Sequence, residues 1–207
     1  MKIAVTKGRL LEDTIALFKR LGLNEPESLL VKNDRRLVHD VPDSNISLVL
    51  AKAADVITYV EHGVCELGIV GRDTILEQGG DFSELYDLGF GKCRFALAGR
   101  IGSDPGEVAT IASKYPNVAR TYFISKGRDV DIIKIDGSVE LAPLLGLADA
   151  IVDIVSTGGT LKANGLTVLD DICDISARLI ANPAAMRLRK SEIERFVNRV
   201  VSAETDA

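Results

Sequence analysis

The segment from Asp149 to Leu161 constrains the fold more than any other. It joins a β-branched apolar run (Ile151, Val152, Ile154, Val155) to Ser156, Thr157, Gly158, Gly159 and Thr160. A run of that kind fills a strand buried on both faces. The two glycines let the chain turn and leave backbone N–H groups open to close approach. With the Thr157 and Thr160 hydroxyls beside them and a helix starting next, the turn is a cradle for a phosphate dianion. Asp149 and Asp153 are spaced to share one side of the segment. Carboxylates repel phosphate, so this pair is expected to face sugar hydroxyls or a hydrated metal ion. A phosphate held beside a ribose is the chemistry implied. The same strand, turn and helix is also ordinary α/β connection chemistry, so the rest of the chain has to decide.

Upstream, Ile3 to Thr6 reads as a strand, and Leu11, Ile15, Phe18 and Leu21 recur at helical spacing before a stop at Gly22. Asn24 to Asp34 is polar and turn-rich, and an extended segment begins at Arg35. Strands are expected over Ile46 to Ala51 and Leu67 to Val70, and helices over Ala53 to Glu61 and from Gly71 to about Gln78. After a change of character near Phe90, strands are expected at Cys93 to Ala98, Val108 to Ala112 and Ile132 to Ile135. Helices follow at Asn117 to Lys126 and Val139 to Leu145. Past the central segment, Leu166 to Ile172 and Ala177 to Ala181 are extended, Asn182-Pro183 starts a helix, and an amphipathic helix on Ile193, Phe196, Val197 and Val200 ends the chain. This alternation defines an α/β class with largely parallel sheets. The break implies two lobes, residues 1–90 plus 178–207 and residues 91–177, with the last helix returning to cover the first.

Composition narrows the function. A net charge of −5 argues against a protein that coats nucleic acid, so any anionic substrate must meet local basic clusters. No apolar run approaches a membrane span, and the first residues enter a strand pattern without a signal-peptide layout, so a cytoplasmic protein is expected. Cys65, Cys93 and Cys173 are expected to be buried, reduced thiols. His39 and His62 are the only histidines, which disfavours His-rich metal sites and Ser-His-Asp triads.

In α/β sheets, ligands sit beyond the carboxyl ends of strands. Lys7-Gly8-Arg9, Lys52 and Arg72-Asp73 all fall at such ends, as does the 156–160 turn. A single basic residue there is ordinarily a solvated loop charge; recurrence at equivalent positions shifts the balance. Arginine grips phosphate oxygens bidentately, so Arg9, Arg35 and Arg72 suit a pyrophosphate. Arg35-Arg36 also suits edge-strand protection, Glu140 a helix dipole, and Tyr115 ordinary packing. Neither a Walker motif nor a G-x-G-x-x-G after a strand occurs.

Glu140, Gly146-Leu147-Ala148, Ile151-Val152-Asp153-Ile154 and Thr157-Gly158-Gly159-Thr160-Leu161 follow the E, G-x-A, I-x-D-I and T-G-x-T-L signature of the ATP phosphoribosyltransferase family, which the chain therefore resembles. Lys7 to Leu10, Tyr59 to Gly63, Leu67 to Asp73 and Asn164 to Leu166 are similar to the same family, so the resemblance spans almost the whole chain. It is to the short form, which is without a C-terminal regulatory domain. The resemblance implies two α/β lobes like a type II periplasmic binding protein, with the active site in the cleft between them. It implies condensation of ATP with 5-phosphoribosyl 1-pyrophosphate to N1-(5-phosphoribosyl)-ATP and pyrophosphate, the first step of histidine biosynthesis, with magnesium held mainly by substrate phosphates. It also implies self-association and a regulatory subunit resembling histidyl-tRNA synthetase in a hetero-oligomer.

On that basis Ser156, Thr157, Gly158, Gly159 and Thr160 are expected to take the 5′-phosphate, and Glu140 and Asp153 to lie near the ribose hydroxyls or the metal. Arg9 and Arg35 are expected to meet the departing pyrophosphate, with Lys7, Gly8, Lys52 and Arg72 adding to that site, and Asp73 and Tyr115 the ATP ribose or adenine. Two rivals remain: a type I phosphoribosyltransferase, whose loop follows two adjacent acids where Asp153 is here followed by Ile154, and a solute-binding module without chemistry.

Overall fold

The computed structural model describes residues 1–24, 26, 29 and 35–205, so most of the turn-rich stretch expected from Asn24 to Asp34 lies outside the described residues. The chain divides into two compact units, Met1–Gly91 with Ser176–Ala207, and Lys92–Ile175.

The first unit is a six-stranded sheet in the order β2-β3-β1-β4-β11-β5. Its strands are β1 (Lys2–Thr6), β2 (Val38–Asp40), β3 (Ser47–Ala51), β4 (Leu67–Gly71), β5 (Ser83–Asp87) and β11 (Ala177–Ala181). Period-two alternation sorts their side chains: Ile3, Val5, Leu67 and Ile69 enter one apolar cluster, Ala4 and Val70 the other. Helices α1 (Arg9–Arg20) and α8 (Lys190–Thr205) cover the first face, where the Phe18 and Phe196 rings meet edge-on at 6.0 Å. Helix α2 (Ala53–Glu61) seals the other face with Val56, Ile57 and Val60. Two shorter helices, α3 (Arg72–Gln78) and α7 (Pro183–Leu188), follow β4 and β11.

The second unit is a five-stranded sheet in the order β10-β6-β9-β7-β8. These strands are β6 (Cys93–Arg100), β7 (Thr110–Ser113), β8 (Asp131–Lys134), β9 (Ala150–Val155) and β10 (Leu166–Ile175). Along β6, Phe95 and Leu97 pack with α4 (Pro116–Ser125), while Ala96 and Ala98 face α5 (Leu141–Leu144) and α6 (Gly159–Ala163). Both faces of the sheet are covered, as the apolar run in β9 requires.

Several expectations are corrected here. The sheets are mixed, not largely parallel: β1, β3 and β4 run parallel, as do β7, β8 and β9, but β2, β5, β6, β10 and β11 pair antiparallel. The strand β5, absent from the sequence reading, pairs with β11. The helix expected over Val139 to Leu145 shrinks to the four residues of α5, because Pro143 inside it supplies no N–H to continue the ladder. Of the three cysteines only Cys65 is fully buried, its thiol pushed up to about 11 by burial and the nearby Glu66 carboxylate. Cys93 and Cys173 are half-exposed on the pairing of β6 with the edge strand β10. Among the described residues no helix is long and apolar enough to cross a membrane.

Candidate active site

In the second unit β9 delivers the chain to the 156–160 turn. Gly158 caps α6 at φ 75°, ψ 5°, a left-handed conformation that glycine enters without strain. Glu140, Asp153, Ile154, Val155 and the whole of 156–161 line a pocket of about 190 Å³. Ser156, Thr157, Gly159 and Thr160 are exposed, while Asp153 and Glu140 are half-buried at the same pocket. Burial, and then the Glu140 charge, push the Asp153 carboxyl above its usual range; the Ile154 N–H and the Lys114 ammonium pull the other way. Two half-buried carboxylates beside a turn of exposed residues carrying N–H and hydroxyl groups are suited to a ligand with hydroxyls on one side and phosphate on the other.

Tyr115 caps α4 in the same unit, with its ring edge-on to Phe95 at 4.9 Å and its N–H donated to Ser113 Oγ at 2.8 Å. Asp149, first paired with Asp153, belongs elsewhere. It precedes β9, and its carboxylate accepts the Ala109 and Thr110 N–H groups at 2.9 and 2.8 Å, which hold it below the usual carboxylate range. The spacing that put both acids on one side also separates them by roughly 13 Å of extended chain, so one end of the strand cannot hold both.

In the first unit the parallel order β3-β1-β4 sends three carboxyl ends to one edge. Lys7, Gly8 and Arg9 follow β1, Lys52 follows β3, and Arg72 and Asp73 open α3 after β4. Gly8 carries the chain into α1 at φ 92°. Arg35 reaches the same edge from β2, which runs antiparallel to β3, with the Leu50 N–H donated to the Leu37 carbonyl at 2.7 Å. Lys7, Arg9, Arg35 and Lys52 are exposed, and Arg72 and Asp73 are half-buried. Among the described residues the Lys7, Arg9, Lys52 and Arg72 side chains have no ion-pair partner, whereas Arg94, Arg178 and Arg189 are all paired. In the second unit, then, Glu140, Asp153 and the 156–160 turn line one pocket while Tyr115 is not part of its lining, and in the first unit the basic residues fall at one sheet edge. The structure also adds Lys114, at the carboxyl end of β7, which sequence reasoning passed over although its neighbour Tyr115 was singled out.

Glu140 and Asp153 also suit magnesium, which takes one or two protein carboxylates and otherwise keeps water and substrate phosphate oxygens. No group of three or more His, Cys, Asp or Glu side chains able to hold a metal occurs among the described residues.

Residues 52–202 match the family model described as HisG: ATP phosphoribosyltransferase. An ATP phosphoribosyltransferase of Clostridium kluyveri is 55% identical over 203 residues, covering 97% of this chain and 92% of the relative. Among solved structures, the ATP phosphoribosyl transferase (HisG:HisZ) complex from Thermotoga maritima includes a chain that superposes with a TM-score of 0.84 at 34% identity, with full coverage of both chains. The periplasmic aliphatic sulphonate binding protein SsuA from Escherichia coli shares the fold at a TM-score of 0.61 and 16% identity, covering 98% of this chain and 72% of that one.

Proposed function

This chain belongs to the ATP phosphoribosyltransferase family, and on that premise we propose that it condenses ATP with 5-phosphoribosyl 1-pyrophosphate, giving N1-(5-phosphoribosyl)-ATP and pyrophosphate at the first step of histidine biosynthesis. The observation that carries the reading is the pocket in which Glu140 and Asp153 stand beside the 156–160 turn. It offers a phosphate cradle and two hydroxyl acceptors in one pocket.

In the reaction, adenine N1 forms a bond to the anomeric carbon while the bond to the pyrophosphate oxygen breaks, through a transition state with oxocarbenium character. N1 is a weak nucleophile, so catalysis consists chiefly of positioning and of stabilising the leaving charge. The turn residues Ser156 to Thr160 hold the 5′-phosphate, and Asp153 and Glu140 accept hydrogen bonds from the ribose hydroxyls. Arg9 and Arg35 draw the departing pyrophosphate, with Lys7, Lys52 and Arg72 adding charge and the Gly8 backbone leaving room. Asp73 and Tyr115 meet the ATP ribose or adenine. Magnesium, when bound, neutralises the pyrophosphate charge, and Glu140 and Asp153 would be its contacts from the protein.

The relative from Thermotoga maritima was solved as a HisG:HisZ complex. A regulatory subunit resembling histidyl-tRNA synthetase is proposed for this chain too, in a hetero-oligomer with self-associated catalytic chains and in the cytoplasm. The test is pyrophosphate release from ATP plus 5-phosphoribosyl 1-pyrophosphate, with and without that subunit. Release that requires both substrates supports the reading. Release without ATP, or none with the subunit present, overturns it.

A further inference from the structure

The end of β7 is fixed from both sides of one residue. Ser113, fully buried, donates its hydroxyl to the Val152 carbonyl at 2.6 Å and accepts the Tyr115 N–H at 2.8 Å. Tyr115 is anchored in turn by its ring on Phe95. Between these anchors Lys114 is exposed, with its ammonium 6.0 Å from the Tyr115 ring centroid, at the limit of a cation–π contact. Strands β7 and β9 run parallel, with Ile111 beside Ala150, Ala112 beside Ile151 and Ser113 beside Val152. One residue further, that register sets Lys114 beside Asp153. Neighbours in register on parallel strands project to the same face, so the lysine side chain starts from the face of the sheet that carries Asp153.

The pocket has an electrostatic problem that this placement solves. The Glu140 and Asp153 charges act on each other, and Asp153 is half-buried. Its register partner on β6 is Ala96, and the Arg94 two residues away on that strand is paired with Asp171. A sugar phosphate carrying several negative charges must bind in the same pocket as these two carboxylates. The Lys114 charge opposes the Glu140 charge at Asp153. We propose that Lys114 is a positioning residue of the phosphoribosyl half-site: from the end of β7 its ammonium offsets the Glu140–Asp153 pair, so that an anionic sugar phosphate can enter the 156–160 turn. This rests on the functional reading above and extends it to a residue outside the family signature.

The test uses the complete enzyme with its regulatory subunit. Lys114→Met should raise the KM for 5-phosphoribosyl 1-pyrophosphate about tenfold, the scale of one screened charge interaction at close range. The kcat and the KM for ATP should stay within about twofold, and Lys114→Arg should restore most of the loss by returning the charge. Lys126→Met removes the same charge at the far end of α4, where the lysine pairs with Asp170, and should leave the KM near that of the unaltered enzyme. A Lys114→Met KM within twofold of the unaltered enzyme overturns the inference. So does an equal rise in the Lys126 variant, or an arginine that restores nothing. An unaltered enzyme that releases no pyrophosphate from the two substrates overturns the functional reading itself, which separates the two failures.

Discussion

Gly158 and Gly159 stand side by side in the turn, and alanine at each should fail for a different reason. Gly158 holds φ 75°, where a Cβ would meet only Val155 Cγ1 at 3.9 Å, an ordinary contact. The cost of Gly158→Ala is therefore backbone strain alone, about 1–2 kcal/mol for a non-glycine residue in the left-handed region. If the turn keeps its shape, stability falls by that amount. If it relaxes, the binding-competent arrangement drops to about one tenth, and affinity for 5-phosphoribosyl 1-pyrophosphate drops about tenfold with it. Gly159 is not in that region, and a Cβ there meets only Thr157 Oγ1 at 3.6 Å, in the first residue of α6. Gly159→Ala should leave stability unchanged or raise it by about 0.5–1 kcal/mol, since alanine is the better helix residue. Yet Gly159 lines the 190 Å³ pocket, so the new methyl takes space from the phosphate and affinity should fall about tenfold or more. Urea denaturation and titration calorimetry with 5-phosphoribosyl 1-pyrophosphate read the two quantities separately. The reasoning is refuted if Gly158→Ala changes neither, or if Gly159→Ala loses affinity only in proportion to lost stability.

Two further predictions concern the frame of the first unit. Asn182, 7% exposed, accepts the Ala185 N–H at 2.8 Å as the cap of α7 and donates to the Val60 and Glu61 carbonyls at 2.9 and 3.2 Å. Asn182→Ala removes a cap and a buried bridge to the end of α2, about 2–3 kcal/mol together, or about 5–10 °C in Tm. Asn182→Ser, which keeps the cap but not the reach, should lose about half of that; a serine variant as unstable as alanine would remove the cap from the account. For Glu66, burial pushes the carboxyl up, but the Lys2 N–H at 2.6 Å and the Arg189 guanidinium outweigh it and hold it below the ordinary value. A depressed carboxyl stabilises the fold above its unfolded pKa of about 4.3 and loses that contribution as pH falls through its lower folded value. Glu66→Gln should therefore lower the urea midpoint at pH 7 and flatten its decline between about pH 5 and 3; an unchanged acid slope would assign the decline to other carboxylates.

What the sequence made legible was local. The strand at Cys93 to Ala98, the helical spacing in α1 and the turn at 156–160 each depend on neighbours within a few residues. Strand β5 was missed because Ser83 to Asp87 is nowhere fully buried and is held by its pairing with β11, some ninety positions away. Strand direction was missed for a similar reason, because the apolar pattern of β6 is the same whichever way its partner runs. Lys114 and Asp149 are the same failure in the site. Each owes its place to the register of β7 on β9, and no periodicity within one strand carries that information.

Direction is also what turns scattered charges into sites. Wherever parallel neighbours end together, at β3, β1 and β4 in one unit and at β7 and β9 in the other, the chain places lysines, arginines or open N–H groups. Where partners run antiparallel, the charges are used up internally: Arg94 with Asp171 across β6 and β10, and Arg178 with Glu84 and Asp87 across β11 and β5. A chain of net charge −5 that pairs its structural arginines yet leaves Lys7, Arg9, Lys52 and Arg72 without ion-pair partners among the described residues is holding cations in reserve. Solvated cations alone would need no common edge. Four of them converging on one sheet edge keep their charge available for an anionic ligand, which is what a departing pyrophosphate requires.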